Sequence, residues 1–154
     1  NDTSTFGGAI AANNVSAIVP TFSVYLDADQ TVSANIPTKI TFNTKDWDTD
    51  NSFDATTNYR FQPTVAGYYQ ISASMNTETG APTRAFITIY KNGSQFKRGT
   101  DSTTTNSRQN IISTLIHFNG TTDYIEFYAY TTATTIRQYY QELTYATGYL
   151  ARAA

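Results

Sequence analysis

The sequence predicts an all-β protein, and three observations carry that prediction. Charged residues make up only 14% of the 154 residues, well below the usual quarter, and Thr, Asn, Ser and Gln supply the polarity instead. Thr and Tyr favour strands, whereas Leu, Glu and Lys, which favour long helices, are sparse. Short segments of alternating hydrophobicity recur along the chain between turn-forming residues.

The chain divides into a short leading segment and one compact domain. Residues 1–20 are small and polar, contain Gly7-Gly8 and end at Pro20, which predicts a linker or the end of a fibre stalk. Residues 21–154 are long enough to form a single domain with a substantial core. Because the chain begins at Asn1 rather than Met, we expect it to be a fragment or a processed product.

Strand candidates follow one another through the compact domain without a convincing helix. Asn92-Gly93 is the strongest hairpin sequence among the turns, and Asn119-Gly120 is a second turn. Eight to ten short strands with turns between them predict a sandwich, jelly roll or barrel. In order, the candidates are Thr21–Leu26, Thr38–Asn43, Asn58–Gln62, Tyr68–Met75, Arg84–Lys91, Gln95–Arg98, Gln109–Phe118, Tyr124–Tyr130 and Thr144–Ala151.

The stretch FQPTVAGYYQIS, residues 61–72, combines a turn with a doubled aromatic. Pro63 lacks the N–H that a strand ladder needs, and Gly67 permits a tight turn. The alternation then places Tyr69 in the core and Tyr68 on the opposite face. An aromatic stripe on that second face must be covered, and a partner subunit is the economical cover.

Several function classes are excluded or disfavoured by the sequence. The net charge of −2 and the pI of about 5.2 do not suit nucleic-acid binding, which needs a basic face. The sequence contains no run of 18 apolar residues, so it does not predict membrane insertion. The absence of Cys excludes disulfides and cysteine-based zinc sites. His117 stands alone on a strand without a nucleophile motif nearby, so we predict that the protein is not an enzyme.

Six segments resemble, in order, the strands of the C1q/TNF-like superfamily. The central one is Phe61…Pro63…Gly67-x-Tyr69-x-Ile71, and the resemblance covers about residues 21–151. It implies a ten-stranded jelly-roll sandwich that assembles as a homotrimer, with both chain ends at its base and with Tyr68 and Gln70 at the trimer interface. His117 alternates with Leu115, so we expect it either at that interface or in an inner core. The other segments are Thr21–Val24, Lys39–Asn43, Phe86–Asn92, Leu115–Phe127 and Thr144–Leu150.

The chain has no collagen tract of the kind that precedes animal C1q domains. Its Thr- and Asn-rich composition, with FGGAIAANNV ahead of the domain, is typical of phage fibre stalks. The resemblance therefore implies the C1q-like head of a phage tail fibre or receptor-binding protein. Its expected location is the tip of a virion tail fibre, or otherwise extracellular.

The acidic stretch KDWDTDNSFD offers a candidate metal site and a candidate sugar platform. Asp46, Asp48 and Asp50 place hard oxygens in alternation, as a calcium loop does, although the Gly and the final Glu of an EF-hand are missing. Solvated turn carboxylates are the alternative, so calcium is an expectation only. Trp47 lies in the same polar loop, where it either anchors the loop over the core or stacks against a sugar ring.

The connection between the last two strands is the main candidate binding site. It contains Arg137, Gln138, Tyr139 and Tyr140, a mixture that recognition surfaces use, and the resemblance places it at the apex with the loops 76–83 and 100–108. We therefore expect a non-enzymatic recognition head that binds a host cell-surface saccharide. The alternatives are a structural trimerisation cap, a secreted C1q-like ligand of a protein receptor and, last, a depolymerase fragment.

Overall fold

A computed structural model describes residues 19–77, 82–103, 108–137 and 142–154 of the chain. These residues form thirteen strands in two sheets and contain no helix, which confirms the all-β prediction. Four of the strands are two residues long, so nine longer ones carry the architecture. The strands are β1 (Thr21–Tyr25), β2 (Gln30–Thr31), β3 (Thr38–Lys39), β4 (Thr44–Asp48), β5 (Phe53–Asp54), β6 (Arg60–Phe61), β7 (Gly67–Thr77), β8 (Ala85–Lys91), β9 (Ser94–Ser102), β10 (Arg108–Phe118), β11 (Ile125–Thr131), β12 (Thr135–Arg137) and β13 (Tyr145–Ala153).

The first sheet, which we call sheet A, is organised around β7. That strand pairs with β10 along its whole length, from Gly67↔Phe118 to Thr77↔Arg108. Its other edge pairs with β13 and, beyond it, with β12. The sheet continues from β13 to β1 and β4, and β2 pairs with β12. The linker predicted at residues 1–20 lies almost entirely outside the described residues and stays a prediction.

The second sheet, sheet B, has the order β5-β6-β11-β8-β9, with β3 paired to β11. The inward faces of the two sheets enclose one core rich in aromatic rings. Phe61 lies within it, with its ring centroid 4.4 Å from that of Phe22 and 5.5 Å from those of Tyr69 and Phe118. These edge-on and tilted contacts fix the two sheets against each other.

The segment around Gly67 has the two-faced geometry that its sequence predicts. A Cβ on Gly67 would overlap the Arg152 carbonyl oxygen and lie 2.7 Å from Leu150 Cδ1, so only glycine permits β13 to pass there. Tyr69 is fully buried and donates a hydrogen bond of 2.9 Å to the Val65 carbonyl. Burial, with a smaller contribution from Asp50, raises the pKa of Tyr69 to about 12. Tyr68 faces outward and is 43% exposed.

The structure differs from the sequence expectation between residues 38 and 48. Only Thr38–Lys39 of the predicted strand Thr38–Asn43 is a strand, although Ile40 and Phe42 are fully buried as expected. The stretch predicted as a polar loop instead forms β4, which pairs with β1 through a bulge. None of its five residues is buried, so its sequence lacks the alternation that normally reveals a strand.

Candidate functional site

The outward face of sheet A is the candidate functional surface, and the register of its strands defines it. On β10 the residues that face outward are exposed or nearly so, whereas Asn110, Ile112 and Ile116 face the core. The strand pairings β13–β7–β10 align the outward residues in rows. From the base upward the rows are Arg152–Tyr68–His117, Tyr149–Gln70–Leu115, Thr147–Ser72–Ser113 and Tyr145–Ser74–Ile111.

Large apolar side chains stand uncovered on this face. Tyr68 is 43% exposed, Ile111 and Leu115 are each 52% exposed and Tyr149 is 51% exposed. Four such residues lie on three adjacent strands of one face, with Gln70 and Ser113 between them, whereas single exposed apolar residues are ordinary on protein surfaces. A patch of this kind marks a surface that another molecule covers.

Polar groups on the same face satisfy one another. The Gln70 amide donates to Ser113 Oγ at 2.8 Å, and the Ser72 and Ser113 hydroxyls lie 3.0 Å apart. The ring centroids of Tyr68 and His117 are 5.1 Å apart, in an edge-on arrangement. Because Gln70, Ser72 and Ser113 already have partners within the chain, these three side chains can lose their water at low cost.

The predicted interface residues Tyr68, Gln70 and His117 therefore lie together on one surface. The sequence does not single out Ile111, Leu115 and Tyr149 as interface residues. The alternation of Gln109–Phe118 carries the signal for the first two, since it sets them opposite the buried residues of the same strand. Tyr149 could be found only by pairing β13 with β7, because its neighbour Gly148 hides the alternation.

Trp47 lies at the edge of this face rather than in a loop, which corrects its predicted placement. It belongs to β4 opposite Ser23, is 51% exposed and donates its indole N–H to Thr21 Oγ1 at 2.7 Å. Thr21 pairs with Tyr149, so the indole continues the apolar patch. Trp47 lies three strands from β7 and several residues nearer the base than Arg137. At ordinary strand spacings the backbones of Trp47 and Arg137 are therefore roughly 20 Å apart.

The far ends of the sheet A strands carry the predicted binding segment. Arg137, the last residue of β12, pairs with Asn76, and Arg108 pairs with Thr77. The opposite end of the sheet, the base, holds Thr21 at the start of β1 and Ala153 at the end of β13, and the place of residues 1–18 stays a prediction. Gln138, Tyr139 and Tyr140 lie outside the described residues, as do 78–81 and 104–107, and their predicted role stays a prediction.

The three carboxylates expected to hold calcium have separate partners. Asp48 accepts hydrogen bonds from Lys45 Nζ at 2.7 Å and from the backbone N–H groups of Ser52 and Phe53. Asp46 accepts from Ser23 Oγ at 2.8 Å, and Asp50 accepts from Ser52 Oγ. In the part of the chain that the structure describes, no three acidic or His side chains form a group that could hold a metal ion. The calcium expectation gains no support from this arrangement.

Asp54, at the end of the same stretch, closes a turn. Its two oxygens accept hydrogen bonds from the backbone of Thr56, Thr57 and Asn58 and from two side chains. The backbone hydrogen bonds lower the pKa of Asp54, with Thr57 contributing most. This turn forms one wall of a polar groove of about 570 Å³ that Lys45 and Arg60 also line.

Asp54→Asn is expected to reduce the dependence of the free energy of unfolding on pH below about pH 4. Since the folded-state pKa lies below the unfolded one, the stabilisation is present above about pH 4 and is lost as the pH falls further. For so exposed a group we expect about 1 kcal/mol at neutral pH. Urea unfolding between pH 2 and 7 measures it, with Asp27→Asn as the control. Equal pH slopes for the protein and both variants would contradict this assignment.

Comparison with solved structures establishes the architecture. The globular domain of zebrafish complement 1qA is similar, with a TM-score of 0.64 and 17% identity over 88% of this chain and 99% of that one. Murine APRIL gives a TM-score of 0.65 and 9% identity over 86% and 98% of the two chains. The fold is a C1q/TNF-type jelly roll.

A third similar structure is the PRD1 vertex protein P5, with a TM-score of 0.58 and 15% identity over 88% of this chain and 99% of that one. At these identities the likeness concerns the fold. No family model and no curated protein matches the sequence. No helix within the described ranges is long and apolar enough to cross a membrane.

Proposed function

We propose that this domain forms a homotrimer through the outward face of sheet A and acts as a non-enzymatic recognition head on a fibre. The observation that carries the proposal is the uncovered patch of Tyr68, Ile111, Leu115 and Tyr149 on a regular sheet face. Three of its polar side chains, Gln70, Ser72 and Ser113, are already paired within the chain. Such a face is suited to burial against another copy of itself.

The geometry of the strands separates assembly from recognition. β7 has 11 residues, so the base and the far end of the sheet lie roughly 35 Å apart. Thr21 and Ala153 lie at the base, where a stalk would continue. Arg137 ends β12 at the far end, where a receptor would be met. Three copies of a weak saccharide site on one rigid head would gain on the order of 10²-fold in avidity.

The chemistry of the described side chains supports binding rather than catalysis. His117 lies on the outward face beside Tyr68 rather than beside a carboxylate. The carboxylates of Asp46, Asp48 and Asp54 accept hydrogen bonds within the chain. The fibre composition of residues 1–20 and the shared fold of a phage vertex protein support a virion fibre tip as the setting.

Binding to cells and to a glycan array tests the proposal, with light scattering run on the same preparation. We expect a trimer that binds a saccharide and that loses most of its binding in the double variant Tyr139→Ala/Tyr140→Ala. Phe96→Ala is the matched control, since Phe96 is also exposed but lies near the base on β9. A trimer that binds no glycan or cell would instead indicate a structural cap.

A further inference from the structure

A second surface, on the side of sheet B that faces away from the core, carries an aromatic groove. The outward residues of β8 and β11 include two pairs of stacked rings. The ring centroids of Phe86 and Tyr130 are 4.6 Å apart with an interplanar angle of 4°, and those of Tyr90 and Tyr128 are 4.0 Å apart. The two pairs form opposite walls of a cavity of about 220 Å³.

The small side chain of Thr88 forms the floor of this groove, and the guanidinium of Arg98 lies at its open side. Phe86 and Tyr90 are four residues apart on β8, or about 13 Å along the strand, and Thr88 lies between them. Thr88 pairs with Arg98 of β9 in the strand register. The Arg98 guanidinium carbon lies 4.0 Å from the centre of the Phe86 ring, and Gln95 lines the same side.

The groove carries more positive than negative charge. Asp101 accepts three hydrogen bonds from Arg84, the shortest of 2.6 Å, and these hydrogen bonds are the main cause that lowers the pKa of Asp101. Arg98 reaches the same carboxylate only at 3.5 Å. One carboxylate therefore serves two guanidinium groups, which leaves a local positive charge on a chain whose net charge is −2.

We propose that this groove binds a sugar ring that carries a carboxylate, such as a hexuronate unit of an acidic glycan. The apolar C–H face of a pyranose packs against aromatic rings, and a guanidinium binds a carboxylate through two parallel hydrogen bonds. Gln95, which lines the cavity, supplies an amide for the ring hydroxyls. The size of the cavity suits one sugar unit.

Cross-strand stacking alone accounts for the four rings, since aromatic pairs stabilise neighbouring strands. The position of Arg98 over Phe86 is also consistent with its 3.5 Å approach to Asp101, but that carboxylate already accepts shorter hydrogen bonds from Arg84. The groove lies on sheet B, whereas Arg137 ends β12 of sheet A. The acidic-sugar site is thus independent of the apical site, and either can fail while the other stands.

Titration of the isotope-labelled protein with methyl glucuronoside, followed by amide NMR shifts, tests the inference. We expect the amides of Thr88, Arg98 and Tyr128 to shift, with a dissociation constant on the order of millimolar for a single sugar. Methyl glucoside has the same ring without the carboxylate, and we expect it to bind about tenfold more weakly.

The variants Arg98→Gln and Lys97→Gln separate the groove from general charge effects. Both remove one cation from β9, but Lys97 lies over Phe96 rather than in the groove. We expect only Arg98→Gln to weaken glucuronoside binding, by about tenfold, while Tyr139→Ala/Tyr140→Ala leaves it unchanged. Groove amides that do not move, or that move equally with glucoside or with acetate, would overturn the proposal.

Discussion

Leu115→Glu is expected to convert the trimer into a monomer. Leu115 is one of the most exposed apolar side chains on the outward face of sheet A, and it stands in one row with Gln70 and Tyr149. A carboxylate at this position would lose its hydration in the proposed trimer, and three copies would do so together. Burying an unpaired charge costs several kcal/mol, which lowers the association constant by a factor on the order of 10³ or more.

Light scattering coupled to size exclusion measures the outcome directly. The chain mass of 17.0 kDa gives about 51 kDa for three copies. Phe96→Glu is the matched control, because it places the same charge on an apolar position of β9 that is 43% exposed, against 52% for Leu115. We expect that control to remain at about 51 kDa and both variants to keep the β-sheet circular dichroism of the unaltered protein. A Leu115→Glu protein that stays trimeric would show that another face makes the contact.

The inward faces of this fold could be predicted from the sequence because their alternation is nearly complete. On β7, Tyr69, Ile71, Ala73 and Met75 are all buried as their spacing predicts. Asn92 and Gly93 both have positive φ, 52° and 79°, as the two-residue hairpin between β8 and β9 requires. Such local patterns are sufficient because each depends on only a few neighbouring residues.

The surfaces proposed to function could be predicted only in part, because they depend on pairing between distant strands. Tyr68 and His117 were placed together through a family resemblance, but Trp47 joins their face only through the pairing of β4 with β1. The aromatic groove combines Phe86 and Tyr130, which are 44 positions apart in sequence. Its local signal is the alternation of aromatic residues on the outward side of β8 and β11.

Polar residues inside the core are the least predictable from the pattern, and Asn110 is the main example. It faces the core from β10, where alternation predicts an apolar residue, and it is fully buried. Its amide nitrogen lies 3.0 Å from the carbonyl oxygens of Ala85 and Thr100 and 2.9 Å from Ser102 Oγ. One side chain of sheet A thereby ties its edge strand to β8 and β9 of sheet B.

Asn110→Ala is therefore expected to lower the free energy of unfolding by about 2–5 kcal/mol. The substitution removes the donor to the Ala85 carbonyl in a buried hydrogen bond, at about 1–3 kcal/mol, and the donor to the Thr100 carbonyl in a part-buried one. It also opens a small cavity between the sheets. Because a domain of this size has a total stability of about 5–15 kcal/mol, the loss would be easily visible in guanidinium unfolding. Protein concentration must be held constant, since unfolding of a trimer depends on it.

Asn43→Ala provides the comparison that separates burial from the mere number of hydrogen bonds. Asn43 also forms side-chain hydrogen bonds, donating to Asp27 Oδ1 at 2.6 Å and accepting from the Asp27 N–H, but it is exposed. Water replaces those bonds after substitution, so we expect a loss below about 1 kcal/mol. Equal losses for the two variants would mean that Asn110 does not join the sheets. A large loss for Asn110→Ala alone would show that a buried amide, invisible to hydrophobic periodicity, holds the edge of sheet A in place.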